Sequence, residues 1–230
     1  MNSVCRVYEL GLVEYGEAYH LQRRLLEERA QGGIGDTLLL LEHPPVITLG
    51  TSGKLENILV SQQELSRRGI SIFFTDRGGD VTYHGPGQLV GYPIIDLRGS
   101  RDIRRYLYSL EEVLIRTLSH FYIKAGRDEA HPGVWVEGKE IASIGLKVKN
   151  WVTMHGFALN VDVDLEPFSL INPCGFADRG VTSISAFTSR EVTVAEVAQM
   201  LLSTFAEVFG FKLNLGYHHI LARPQRCLSL

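Results

Sequence analysis

The chain has 230 residues, 45% hydrophobic and 21% charged, with a formal net charge of -3 at pH 7. That balance suits one large globular domain and argues against a nucleic-acid binder, which carries a basic excess. Three cysteines (Cys5, Cys174, Cys227) are too few and scattered for a disulfide framework or a Cys-x-x-Cys zinc site. No run nears the ~20 apolar residues of a membrane span, and the first six residues lack a secretory core, so a cytoplasmic protein with no membrane contact is expected.

In chain order, Tyr15 to Ala30 reads as a helix. Tyr19, Leu21, Leu25 and Leu26 are its apolar residues, Arg23, Arg24, Glu27, Glu28 and Arg29 point mostly outward, and Gln31-Gly32-Gly33 stops it. Asp36 to Leu41 is a continuous apolar run of strand length, the pattern of a strand buried on both faces. His43-Pro44-Pro45 interrupts it and Val46 to Leu49 resumes as strand. Ser61 with Glu64 has the capping-box spacing of a short helix. Ile70 to Thr75 and Gln88 to Leu97 read as strands. Arg101 to Tyr122 carries Ile103, Leu107, Leu110, Leu114 and Leu118 at helical spacing and is the longest helix. Val134 to Val136, Ile141 to Val148 and Met154 to Val163 read as three neighbouring strands. Thr193 with Glu196 opens a last helix that runs to Phe209 and ends at Gly210. The polar residues from about 221 to 230 are expected to form a loosely ordered tail. Helices and strands do not alternate strictly. The expected fold class is therefore α/β (α+β), a mixed or largely antiparallel sheet with flanking helices, in one domain over residues 1–230.

Three segments concentrate the chemistry. Arg77-Gly78-Gly79-Asp80-Val81-Thr82-Tyr83-His84-Gly85-Pro86-Gly87-Gln88 has four glycines in a spacing that fits neither a Walker loop nor a dinucleotide fingerprint. Glycines there suit a tight inter-strand loop, or a wall where a ligand lies against backbone N–H groups; Arg77, Tyr83 and His84 favour the wall. Asn172-Pro173-Cys174-Gly175 sets a thiol between Pro and Gly, outside any helix or central strand, where a loop can present it to substrate. Gly138-Lys139-Glu140-Ile141-Ala142-Ser143-Ile144-Gly145 and Met154-His155-Gly156-Phe157-Ala158-Leu159-Asn160 read as strands lined by small residues. They suit ordinary sheet packing, or a narrow apolar channel. His155 alone reads as a structural histidine.

Taken together and in this order, these segments resemble the lipoyl(octanoyl) transferases, the octanoyl-[acyl-carrier-protein]:protein N-octanoyltransferase family of protein lipoylation. The resemblance also draws on Leu39-Leu40-Leu41-Glu42-His43-Pro44 and Val181-Thr182-Ser183, and covers about residues 7 to 210. It implies the biotin/lipoate protein ligase-like fold, with a smaller second sheet beside the main one. It also implies an acyl relay. An octanoyl group leaves the thiol of acyl carrier protein, rests as a thioester on Cys174, and ends on a lysine of a lipoyl domain. Acceptors would be the acyltransferase subunits of 2-oxoacid dehydrogenases and the glycine-cleavage H protein. Because the donor is already a thioester, no ATP, metal or other cofactor is needed. By the same resemblance Arg77, Gly78, Gly79, Asp80, Val81, Thr82, Tyr83, His84, Ser143, Ile144, Gly145, Gly156, Phe157 and Ala158 line the acyl site.

One position departs from the family pattern. The family places a lysine immediately before Ile-Ala-Ser-Ile-Gly, where it lowers the cysteine pKa and moves protons. This chain has Glu140 there and Lys139 one residue earlier. Strand side chains alternate faces, so a one-residue slip turns Lys139 away unless a bulge restores it. Lys139 is carried as the general base on that condition, with Lys147 and Lys149 as further lysines. A Glu140 facing the thiol would instead raise its pKa. An ATP-dependent lipoate ligase and a lapsed, acyl-binding homologue are the alternatives. Arg104, Arg105 and Lys149 are the basic residues available to an acidic carrier.

Overall fold

The computed structural model of the protein describes residues 3–129, 131–172, 180–216 and 220. The first half contains β1 (Ser3–Leu12), α1 (Tyr15–Ala30), β2 (Asp36–Glu42), β3 (Val46–Leu49), α2 (Gln62–Arg67), β4 (Ser71–Phe74), β5 (Val81–His84) and β6 (Gln88–Ile94). The second contains α3 (Ile103–Ser119), β7 (Gly133–Val136), β8 (Lys139–Lys149), β9 (Val152–Asn160), α4 (Val194–Phe209) and β10 (Phe211–Leu215). Seven strands form a mixed sheet in the order β10-β1-β2-β6-β9-β8-β7, and β4-β3-β5 form a smaller second sheet. The β10–β1 and β1–β2 pairs are parallel, and the remaining pairs of the large sheet are antiparallel.

The continuous apolar run of β2 follows from its central place. Leu38 and Leu40 face a core built with Leu110, Val113 and Leu114 of α3 and Leu201 and Phe205 of α4. Leu39 and Leu41 face the opposite core with Leu21, Leu25 and Leu26 of α1. Alternate side chains of one strand thus feed two cores, so every position must be apolar. Each fully buried leucine contributes about 1.5–3 kcal/mol. The small sheet encloses a third core of Ile47, Leu49, Leu65, Val81, Tyr83, Leu170 and Ile171.

The helix ends follow the expected caps. Ser61 Oγ accepts from Glu64 N–H and Thr193 Oγ1 from Glu196 N–H, both at 3.2 Å. Asp102 Oδ1 accepts from Arg105 N–H at 2.8 Å, so α3 starts two residues after Arg101. Gly210 closes α4 with φ +67°. Strands β1, β5 and β10 were not expected. β1 mixes Arg6 and Glu9 with Cys5 and Val7, and β10 is a half-exposed edge strand, so neither carries a strong apolar signal. Four of the twelve residues of the glycine-rich run, 81–84, are strand because they pair with β3. Cys174 and the expected tail at 221–230 lie outside the described residues. No helix among the described residues is long and apolar enough to cross a membrane.

Candidate active site

The turn Gly85-Pro86-Gly87 carries the chain from β5 in the small sheet to β6 in the large one. Between β5 and the β6–β9–β8 wall lies a cavity of about 1140 Å³. Residues 77–82 and His84 form one side, Val90 and Tyr92 with His155, Gly156, Phe157 and Ala158 another, and Ser143, Ile144, Gly145 and Leu146 a third. Asn172 and Gly180, the described residues on either side of the segment that contains Cys174, also line it. Of the residues expected at the site, Arg77, Gly78, Gly79, Asp80, Val81, Thr82, His84, Ser143, Ile144, Gly145, Gly156, Phe157 and Ala158 all come together here. Tyr83 does not. Its ring packs edge-on against Phe168 at 5.4 Å in the small-sheet core, since neighbouring side chains of β5 leave the strand on opposite faces.

Arg77 is the buried cation of the cavity wall, only 8% exposed. Nη2 donates to Thr48 O and Thr48 Oγ1 at 2.9 Å, and Nη1 donates to Gly78 O at 3.2 Å. No carboxylate forms an ion pair with it among the described residues, and burial pushes its pKa down. A side chain on Gly145 would meet Arg77 Cδ at 3.0 Å and Gly78 O at 3.1 Å, so the guanidinium stem and the β8 backbone pack in direct contact.

The remaining polar groups have assignable hydrogen positions. His84 Nδ1 donates to Gln88 Oε1 at 2.8 Å, leaving Nε2 to accept from Thr48 Oγ1 at 3.4 Å. Gln88 Nε2 donates to Asn160 Oδ1 at 2.9 Å, and Asn160 Nδ2 donates to Thr182 O at 2.9 Å. The chain of bonds therefore runs from the cavity wall to the stretch that follows Gly180. His43 donates to Val13 O at 2.6 Å and accepts from Tyr92 Oη at 2.7 Å. Burial pushes the pKa of His43 down to about 4, and His84 lies well below its ordinary value for the same reason, so both rings are neutral.

His155 and Asp76 were not expected at the site. His155 lines the cavity, is 1% exposed, and sits in the left-handed region at φ +58° in the middle of β9. Its Nε2 donates to Asp76 Oδ1 at 2.8 Å, while Nδ1 has no partner among the described residues. Burial pushes this ring down to about 4 despite the carboxylate. Asp76 also accepts from Tyr19 Oη at 3.0 Å and pairs with Lys147. A sequence signal existed only in part: Asp76 immediately precedes the Arg77 run, but its partner lies far along the chain.

At position 140 the structure decides the face. β8 does carry a bulge, since Val134 pairs with Ala142 but Trp135 pairs with Glu140. The bulge leaves Glu140 on the cavity wall and Lys139 exposed, so Lys139 is not brought to the cavity. Lys147 is engaged by Asp76. Burial pushes the Glu140 carboxyl up to about 7, with Ser143 and Arg77 pulling the other way. Cys5 is buried between sheet and helices, and burial, then Asp36, pushes its thiol up to about 12, consistent with an inert thiol.

A mixed sheet, a small second sheet and this cavity define a class of protein. The profile of the lipoyl protein ligase A/B catalytic domain matches residues 14–206. A bipartite lipoate protein ligase from Thermoplasma acidophilum superposes with TM-score 0.73 at 17% identity, covering 96% of this chain and 90% of its own. A biotin protein ligase from Aquifex aeolicus superposes more loosely, with TM-score 0.52 at 11% identity over 90% of this chain and 69% of its own. These two similarities speak to the fold alone.

Sequence relatives narrow the class. An octanoyltransferase from Caldicellulosiruptor saccharolyticus is 52% identical over 89% of this chain and 88% of its own length. The chain belongs to the octanoyltransferase family and is an acyltransferase.

Proposed function

We propose that the chain transfers an octanoyl (or lipoyl) group from acyl carrier protein to a specific lysine of lipoyl domains through a thioester on Cys174. This is the first step of endogenous protein lipoylation, carried out in the cytoplasm by the whole chain acting as one catalytic domain. The observation that carries the reading is that Asn172 and Gly180 both line the cavity. Cys174 follows Asn172 by two residues, at most about 7 Å of chain. The apolar surfaces of Val90, Ile144, Phe157 and Ala158 supply a channel for a hydrocarbon chain, and the glycine-rich run brings backbone close to it.

The chemistry balances without an energy source. The Cys174 thiolate attacks the donor carbonyl, the donor C–S bond breaks, and the carrier thiol leaves with a proton. One thioester replaces another. The acceptor amine then attacks the acyl-enzyme, forming an amide and regenerating the Cys174 thiol. Acceptors on this reading are the lipoyl domains of 2-oxoacid dehydrogenase acyltransferase subunits and the glycine-cleavage H protein. The test is a reconstitution from octanoyl-acyl carrier protein and a purified lipoyl domain without ATP. Octanoylated lipoyl domain is expected from wild type and none from Cys174→Ala. Transfer that requires ATP and survives Cys174→Ala would instead identify a ligase.

A further inference from the structure

In a chain of net charge -3, four exposed cations gather around the start of α3 and the β8–β9 turn. Arg101 precedes α3, Arg104 and Arg105 lie in its first turn, and Lys149 ends β8. The two stretches are in contact. Leu97 N–H donates to Trp151 O and Arg101 N–H to Leu97 O, both at 2.7 Å, and the Arg101 guanidinium lies over the Trp151 ring at 5.7 Å. Arg101 and Trp151 both sit in the left-handed region, at φ +50° and +62°, so tight turns shape the contact. One turn into α3, Leu107 lines the cavity, and three residues before Lys149 so does Leu146. The cations therefore stand at the rim of the cavity already described.

The fold gives these charges no counter-ion. Arg29, Arg68, Arg116, Arg127 and Arg190 each pair with a carboxylate. Arg101, Arg104, Arg105 and Lys149 form no ion pair among the described residues. Asp102, the one acid between them in sequence, has its Oδ1 engaged in capping α3. Like charges gathered without acids repel one another, and an anionic partner would relieve that repulsion. Ile103, 41% exposed, sets an apolar side chain among them.

Resting on the acyl relay proposed above, we propose that Arg101, Arg104, Arg105 and Lys149, with Ile103 among them, form the docking surface for the acyl donor, an acidic carrier protein. The donor's acyl arm joins its carrier through a phosphate diester, so the root of the arm and the surface around it are both anionic. The rim cations hold those anions while the arm runs past Leu107 and Leu146 into the cavity. The same charges disfavour the acceptor at this place, because its reacting lysine arrives as a cation and is repelled. Attraction of this kind steers the encounter and weakens as salt is added.

The test compares two donors in steady-state transfer to a lipoyl domain, at low and at high salt. One is octanoyl-acyl carrier protein; the other is octanoyl-pantetheine, the same thioester without carrier or phosphate. The enzymes are wild type, Arg104→Glu/Arg105→Glu, Arg101→Glu/Lys149→Glu and, on the opposite edge of the sheet, Lys212→Glu as control. Both double variants should raise KM for octanoyl-acyl carrier protein about 10-fold or more at low salt, and the gap should narrow at high salt. Turnover of octanoyl-pantetheine and KM for the lipoyl domain should stay within about twofold of wild type. Arg104→Glu/Arg105→Glu should melt no lower than wild type, because acids suit a helix N-terminus. Lys212→Glu should match wild type throughout. A carrier KM that neither double variant changes overturns the proposal, as does an equal loss with both donors. A KM that rises for the lipoyl domain instead also overturns it, by assigning the surface to the acceptor. All three results leave the relay intact, whereas a wild type that transfers from neither donor removes both.

Discussion

The two ends of the β8 wall treat an acidic side chain in opposite ways. Beside Leu146 and His155, Asp76 is met by three donors: Lys147 Nζ, Tyr19 Oη and His155 Nε2. Burial pushes its pKa up, but those donors hold it at about 2, a permanent anion. Near Gly133 and Gly180, Glu140 is met among the described residues by Ser143 and, at longer range, Arg77, and burial outweighs both and holds it at about 7. Donor supply decides the difference. Asp76 fixes the tautomer of His155 and leaves its Nδ1 as an acceptor, whereas Glu140 can change charge near neutral pH. One end of the wall is built to hold a shape and the other can exchange a proton.

The largest stability effect is expected from Glu140→Gln. The folded pKa of Glu140 lies above its ordinary value of 4.5, so the folded state binds the extra proton between about 4.5 and 7. Wild-type stability should fall as pH rises through that window, and Glu140→Gln should be more stable by up to about 3 kcal/mol at pH 8 and nearly equal at pH 5. Urea melts at the two values check it. Asp76→Asn should act with the opposite sign, costing about 2 kcal/mol at pH 7 by removing charge-assisted bonds to Lys147 and His155. That cost should shrink as pH falls from about 4 toward 2, where the wild-type carboxylate itself is protonated.

Between the two ends, Gly145→Ala presses a methyl against Arg77 Cδ and Gly78 O. A loss of about 1–2 kcal/mol is expected, together with slower acyl loading, read from thermal melts and single-turnover rates. Lys139→Ala should do least, within about 0.5 kcal/mol in stability and about twofold in transfer rate, because the side chain is exposed and away from the cavity.

Much of this was legible in the sequence. Leu38–Leu41 announced a strand buried on both faces because two cores draw on it. The Arg77 run and the 143–145 and 156–158 segments converge as expected because each forms a wall of one cavity. Strand periodicity already warned that Lys139 and Glu140 could not share a face. Other features depend on contacts between distant residues. β1 is a strand mainly because it pairs with both β10 and β2, and β10 because it pairs with β1. The role of His155 rests on Asp76, on Gln22 Oε1 accepting its backbone N–H at 2.8 Å, and on a left-handed φ that no local pattern announces. Tyr83 sat inside the motif yet turned away, because a motif gives the run and the strand gives the face.

The most direct test of the Cys174 thioester is the mass of the intact protein, followed by peptide mapping, after mixing with octanoyl-acyl carrier protein and no acceptor. One octanoyl group is expected on the peptide containing Cys174, absent in Cys174→Ala and discharged when a lipoyl domain is added. Transfer to the lipoyl domain with no adduct on the enzyme, or with the adduct on another residue, would contradict it.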